Sequence, residues 1–596
     1  MSEDEPIGRG NQNAKDDDLS RRSFLRLGAL AGAGAPLAGM LGAAAAAAAP
    51  APLSDAAVEL EEATIAQLQE GMERGGLSSL SLVNMYLERI ASIDEGIGLN
   101  AVLEVNPDAR RIARQLDRER RQGHVRGPLH GIPVMVKGNI DTADRMSSTA
   151  GSLALVGDPP PQDSTVAARL RAAGAVILGK TNLSEWANFR GFNSSSGWSG
   201  QGGQTRNPYV LDRNPCGSSS GSAATVSANL CAAGLGTETD GSIVCPATIN
   251  GVVGIKPTVG LTSRAGVVPI SHTQDTVGPH ARTVADAAAM LSALVGVDPR
   301  DPATAASAGK FSTDYTQFLD PDGLNGARIG VARGGGFTGY SLDTDAIFEQ
   351  AVQAMADAGA VIFDPAEIPT IDQLNADDAE IIVLIFEFKR DLNAYLATRT
   401  GVPIHTLADA IAFNEAHADQ ELQYFGQEFF IFAEEEIFSQ QDYDDALVRG
   451  HVLAGANGID AVLSMFNLDA LVAPTGSPSW PIDLVNGDHF TGASSGPCAV
   501  AGYPIINVTA GFAFGLPVGV SFMGTAFSEP TLIKLASGFE NATRARRPPT
   551  FIPTLPLPTG INPYTGKSLA AAAARLARMK ELVTAKPQLR SLLRYL

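Results

Sequence analysis

The chain has 596 residues, 44% of them hydrophobic and 18% charged, enough for one very large globular domain or several average ones. Its formal net charge of −20 gives a surface that repels nucleic acid and anionic membranes, which excludes both as default partners. The 8 histidines show no H-x-x-x-H or H-E-x-x-H spacing and the 4 cysteines no C-x-x-C pair, so neither a metal site nor a cofactor is expected.

The first motif is at the front. Ser20, Arg21, Arg22, Ser23, Phe24 and Leu25 have the form of a twin-arginine export signal, two adjacent arginines followed by apolar residues. A Gly/Ala-rich stretch from Leu27 to Ala49 follows, then Pro50 and Ala51, small residues that fit a signal-peptidase pocket. Alanine and glycine bury little apolar surface, so cleavage is expected rather than stable membrane insertion. On this reading residues 1–51 are a removed signal, the export machinery is a partner, and the protein is periplasmic or secreted.

From Ser54 the pattern turns helical. Ile65, Leu68 and Met72 repeat at helical spacing, as do Val83, Leu87 and Ile90, with Ser78 and Ser79 as caps for the second helix. Apolar runs at Ile132–Val136 and Ala175–Leu178 read as strands, and Ser164–Ala173 between them as a helix. That alternation predicts an α/β fold, a single large domain over residues 54–550 with a mixed central sheet wrapped by helices. Residues 371–452 are helical, acidic and aromatic, an elaboration outside the sheet that either shapes the mouth of a site or forms a solvated helical layer. Strand pattern returns at Leu471–Pro474 and Pro517–Ser521, and residues 551–596 end in a basic Ala/Leu-rich helical tail. Cys216, Cys231, Cys245 and Cys498 read as small buried hydrophobes, with one disulfide left open for an exported protein.

The chemistry concentrates in two Gly/Ser-rich loops, Cys216–Ser222 and Gly236–Pro246, flanking a small-residue helix expected over Ala223–Ala233. A serine nucleophile needs a sharp turn with backbone N–H groups nearby, and both loops offer one. Gly217–Gly221 also satisfies G-x-S-x-G, but low-complexity text matches that pattern easily. His405, His417, His451 and His489 lie in no context that would complete an α/β-hydrolase triad.

These loops, with Asn250–Pro257, Leu129–Ile140, Leu99–Pro107 and Gly515–Val520, resemble the blocks of the amidase-signature family over most of the chain. The resemblance implies a serine amidohydrolase that breaks a carboxamide C–N bond, releases ammonia and passes through an acyl-enzyme. It places the nucleophile on Ser242, the bridging serine on Ser218 and the general base on Lys137. The backbone N–H groups of Thr239, Asp240, Gly241 and Ser242 become the oxyanion hole. The family often holds the bridging serine in a cis peptide. Lys137 ends an apolar strand, where burial can keep its amine neutral. Three positions depart from the usual pattern: Asp240 and Cys216 stand where the family has glycine, and Val244 where it has arginine. With Glu387–Tyr395, these departures are similar to the peptide-amidase branch, which acts on C-terminally amidated peptides. The alternatives are another aryl or aliphatic amidase, a glutaminase of the tRNA-amidotransferase type, and an exported binding protein without catalysis. Ser477 and Asp483, after a strand, are further candidates for substrate contact.

Overall fold

Apolar runs too short for helices carry the central layer. The computed structural model describes residues 60–556, so the signal-like segment and the tail beyond Pro556 lie outside the described residues. The strands are β1 (Val102–Val105), β2 (Pro133–Lys137), β3 (Val176–Thr181), β4 (Trp198–Ser199), β5 (Gly203–Gln204), β6 (Ala233–Glu238) and β7 (Val253–Lys256). They continue with β8 (Thr276–Ala281), β9 (Arg328–Val331), β10 (Val361–Phe363), β11 (Ala470–Pro474), β12 (Ile505–Ala513) and β13 (Leu516–Met523).

Strands β4 and β5 form a small hairpin, and the other 11 form one sheet in the order β1-β3-β2-β6-β8-β7-β12-β13-β11-β9-β10. It is mixed. Strand β2 runs parallel to β3 and β6, and β9 parallel to β10 and β11, while the remaining pairs are antiparallel. Every residue of β2, β3, β6, β11 and β13 is buried, as strands covered by helices on both faces must be. The expected single α/β domain with a mixed sheet is what the structure has.

The opening helices lie where the spacing puts them. Helix Ile65–Glu73 buries Ile65, Leu68 and Met72, and helix Ser79–Arg89 starts from Ser78, whose hydroxyl and Ser81 close a capping box. Ser164 caps helix Thr165–Ala172. Residues 371–451 fold into helices, among them Ala379–Leu396, Glu428–Glu434 and Gln440–His451. Leu384, Ile385, Phe388 and Phe430 of this layer pack on Trp186, Phe189 and Ile270, beside the Gly/Ser loops rather than away from them. Among the described residues no helix is long and apolar enough to cross a membrane. Phe551 and Ile552, just past residue 550, still bond to the backbone of Pro208 and Tyr209.

Two expectations need correction. The small-residue helix spans Ser220–Ser227, not Ala223–Ala233. Asn229 turns left-handed at φ 57° and stops it, and Ala233 already belongs to β6. The helix reaches back to Ser220 because Gly221 lies against the backbone of Ala101 and Asn182, where a side chain would collide. Nor are all four cysteines free hydrophobes: Cys216 and Cys245 form a disulfide, while Cys231 and Cys498 are free and buried. The fold brings two turns 29 residues apart to a Cα–Cα distance of 6.1 Å, which spacing alone does not reveal.

Candidate active site

Lys137 stands at the end of β2, fully buried. Its Nζ donates to Ser218 Oγ at 2.7 Å, to Thr237 Oγ1 at 2.8 Å and to the Thr237 carbonyl at 3.3 Å. Burial pushes the amine from its ordinary value down to about 7, and the carboxylates of Asp275 and Glu238 pull it partly back. Asn139 Nδ2 donates to the same Thr237 hydroxyl at 3.1 Å, which fixes the acceptor Lys137 faces. A lysine so placed is half neutral near pH 7, the condition for taking a proton.

Ser218 enters this site across the Gly217–Ser218 peptide, which is cis. Gly217 lies so close to Ser184 Oγ that a Cβ there would collide, and the Ser218 carbonyl accepts from Ser184 N–H at 3.1 Å. The middle serine of the G-x-S-x-G match, Ser219, is buried and donates its hydroxyl to the Thr237 carbonyl at 3.0 Å, a bond that holds the loop. Neither His405, His417, His451 nor His489 bonds to it. The ring nitrogen of buried His280 meets the Ile243 carbonyl at 3.0 Å. Burial lowers it to about 4, so it stays neutral.

The Ser242 turn leaves β6 and enters helix Val244–Ile249. Glu238 Oε2 accepts from the N–H of Ile243 at 2.6 Å and of Val244 at 3.0 Å, clamping the turn from inside. Thr239 donates its hydroxyl to Asp275 Oδ1 at 2.6 Å. Gly241 has φ 75°, a left-handed conformation in which Ser242 is turned toward the cavity. The backbone N–H groups of Asp240, Gly241 and Ser242 donate to no protein acceptor among the described residues, which leaves them for a ligand oxygen. The Ser242 carbonyl accepts from Ser219 N–H at 3.2 Å and joins the two loops. The Ser218 and Ser242 hydroxyls are not themselves hydrogen-bonded to each other; Lys137–Ser218 is the link made.

Thr239, Asp240, Gly241 and Ser242 line a cavity of about 510 Å³ with Cys216, Gly217 and Cys245. Its walls mix apolar Phe189, Ile270, Leu384 and Phe490 with polar Asn188 and Asp488, the composition of a small-molecule or short-peptide site. Of the two later candidates, Asp483 holds its own turn by accepting from the N–H of Val485 and Asn486, and neither it nor Ser477 lines the cavity. Thr475 and Asp488, two and five residues away, line it instead. Thr237, Glu238 and Asp275 support the candidate site, and the motifs alone do not single them out. The first two sit inside the Gly236–Pro246 loop and are readable as its supports, whereas Asp275 comes from a separate segment with no local signal. His272, Glu387 and Asp391 gather outside the cavity. Glu387 accepts from Ser271 and Thr273, and Asp391 pairs with Arg390.

Comparison with known proteins adds three likenesses and a family match. The family model described as Amidase matches residues 81–533. The chain is 45% identical over 501 residues to a probable amidase of Arabidopsis thaliana, covering 83% of this chain and 92% of that one. It is 34% identical to a glutamyl-tRNA(Gln) amidotransferase component of Symbiobacterium thermophilum, over 79% of this chain and 94% of that one. Among solved structures, native peptide amidase from Stenotrophomonas maltophilia is 52% identical with a TM-score of 0.78, over 84% of this chain and 100% of that chain.

Proposed function

We propose, for a chain that belongs to the amidase family and is a hydrolase of amide C–N bonds, that it releases ammonia from C-terminally amidated peptides through an acyl-enzyme on Ser242. Neutral Lys137 takes the proton of Ser218, and Ser218 takes that of Ser242 as the Ser242 oxygen attacks the carboxamide carbon. The N–H groups of Thr239, Asp240, Gly241 and Ser242 hold the oxyanion that forms. The relay returns a proton to the nitrogen, ammonia leaves, and water attacks the acyl-enzyme by the same route to free the carboxylic acid and Ser242. The Ser218–Ser242 hydrogen bond closes on substrate binding, since catalytic hydrogen bonds often tighten only in the complex.

The observation that carries this reading is the 2.7 Å contact of a fully buried lysine with Ser218, beside a turn whose N–H groups are free. The greater likeness to a peptide amidase than to an amidotransferase component supports the peptide substrate. Ammonia release from an amidated dipeptide and from free glutamine, set against aniline release from an acyl anilide, tests it. The dipeptide amide is expected to have the highest kcat/KM by about 10²-fold, a transition-state preference of about 2.7 kcal/mol. Preference for glutamine or the anilide would assign the enzyme to another branch.

We further infer export to the periplasm or medium from Arg21 and Arg22, which lie outside the described residues. The Cys216–Cys245 disulfide supports this, because such bonds persist in oxidising compartments. Changing Arg21 and Arg22 to lysine should leave the protein in the cytoplasmic fraction; unchanged export would sink the inference.

A further inference from the structure

Two turns carry the proposed chemistry, and a disulfide joins them. Cys216 precedes Gly217 and Ser218, and Cys245 follows Ser242 by three residues. Their disulfide therefore crosslinks the Ser218 turn to the Ser242 turn, and both cysteines line the cavity beside Gly241 and Ser242. Each end is anchored. The Cys216 N–H donates to Asn214 Oδ1 at 2.7 Å, its carbonyl accepts from Ser220 Oγ at 2.5 Å, and the Cys245 N–H donates to the Gly241 carbonyl at 2.7 Å. A weaker parallel tie runs through Asn250, whose Nδ2 donates to the carbonyls of Pro215 at 2.8 Å and Pro246 at 2.7 Å. With the Ser219–Ser242 backbone bond, these are enough to keep the turns near each other. The disulfide adds a covalent tie between the same two turns.

We propose that the Cys216–Cys245 disulfide is a positioning element of the amide-hydrolysing site, setting the Ser218-to-Ser242 spacing, and that its reduction reversibly lowers turnover while the fold persists. This rests on the Ser242 acyl-enzyme reading above. Besides Ser218, Lys137 is held by Thr237, whose hydroxyl Asn139 fixes in turn, so the base keeps its place without the crosslink and the proton transfer between the serines is what suffers. Both cysteines face the cavity, which gives a small reductant a way in. One thiolate of a dithiol such as dithiothreitol attacks either sulfur and forms a mixed disulfide. Its second thiolate displaces the protein sulfur, and the two electrons and two protons end as thiols on Cys216 and Cys245 with a cyclic oxidised reagent. Oxidised glutathione reverses the exchange.

The backbone also offers a clean variant. Cys216 has φ 56°, a left-handed conformation that favours glycine, so Cys216→Gly removes the sulfur without straining the turn. The test measures ammonia release from an amidated dipeptide by full-length enzyme, oxidised and dithiothreitol-treated, with thiols titrated after denaturation and far-UV circular dichroism recorded. Reduction should raise the titrated thiols from two to four and lower kcat at least about tenfold, a barrier change of about 1.4 kcal/mol. KM should stay within about threefold, and the pH midpoint of kcat/KM should not move. Oxidised glutathione should restore kcat. The C216G/C245S enzyme should match the reduced one and ignore dithiothreitol. Full kcat with four titrated thiols, or in folded C216G/C245S, overturns the proposal. Loss of fold in both the reduced enzyme and the variant also overturns it, by making the link a stability element. A shifted pH midpoint counts against it too, because general loosening would hydrate Lys137. Oxidised enzyme that cleaves no amide instead counts against the acyl-enzyme reading, and takes this inference with it.

Discussion

Lys137 gains its chemistry from its surroundings. A buried ammonium lacks the hydration that keeps an ordinary lysine protonated, and here burial outweighs the attraction of Asp275 and Glu238, bringing it to about 7. In the proposed relay only the free amine accepts a proton. The kcat/KM of the enzyme should therefore rise about tenfold per pH unit below about 7 and level off above it. Lys137→Met should lower kcat/KM by about 10²- to 10⁴-fold across that range. The same residue costs stability, with a sign that follows from linkage. Between about 7 and the ordinary lysine value the unfolded chain binds more protons than the folded one, so this group's contribution to stability improves as pH rises through that window. Lys137→Met, measured by urea denaturation, should consequently stabilise the protein most at or below neutral pH and least near pH 10. A variant equally stable at both pH values would mean the amine is not desolvated. Lys137, Ser218 and Ser242 are candidates in the sequence through the resemblance of the blocks they stand in to the amidase signature. Asp275 and Asp488 are not, since each reaches the site through a bond or wall made only when distant segments fold together.

The turn between β6 and helix Val244–Ile249 is an element built around one carboxylate. Glu238 satisfies two N–H groups just past Ser242, and Lys256, itself fully buried, pulls its carboxyl down against the upward push of burial. Replacing the carboxylate weakens two charge-assisted bonds and leaves Lys256 with less negative charge nearby. Glu238→Gln should cost about 2 kcal/mol in urea denaturation and lower kcat, because the more weakly held N–H groups let Ser242 wander. No loss of either would make Glu238 a bystander. The element boundaries show where sequence patterns stop short. Helix Ser220–Ser227 and strand Ala233–Glu238 are both made of small residues with no period to separate them. The break comes instead from Asn229 turning left-handed and from Gly221 meeting two neighbouring backbones. The strands around Lys137 and the capped opening helices are legible because their apolar spacing and cap residues are local properties.

At the scale of the whole molecule, the helical layer over residues 371–451 is fastened to the sheet side by a fully buried arginine. Arg190 pairs with Glu185, lies 3.6 Å from Glu421, donates to the carbonyls of Phe425 and Gly426, and stacks 4.0 Å over the Phe425 ring. Two buried carboxyls share this one cation, and burial with mutual repulsion raises Glu185 well above the ordinary range. Arg190→Ala leaves that acidic pair uncompensated and should destabilise the protein by about 3–5 kcal/mol, read as a lower urea midpoint. A midpoint unchanged within error would mean the layer is held by its apolar contacts alone. The layer matters to function because Leu384 and Asn375 reach from it into the cavity. Its helical character is legible from composition; its place over the Gly/Ser loops is not, since that depends on Phe189 stacking on Phe429 and Arg190 meeting Glu421 across the fold. All of this architecture converges on Ser242, and the most direct measurement is ammonia release from an amidated dipeptide by wild-type enzyme and by Ser242→Ala. Release that falls by at least about 10⁴-fold in a folded Ser242→Ala protein is the predicted result. Release that persists undiminished in that variant would contradict it and place the nucleophile on another residue.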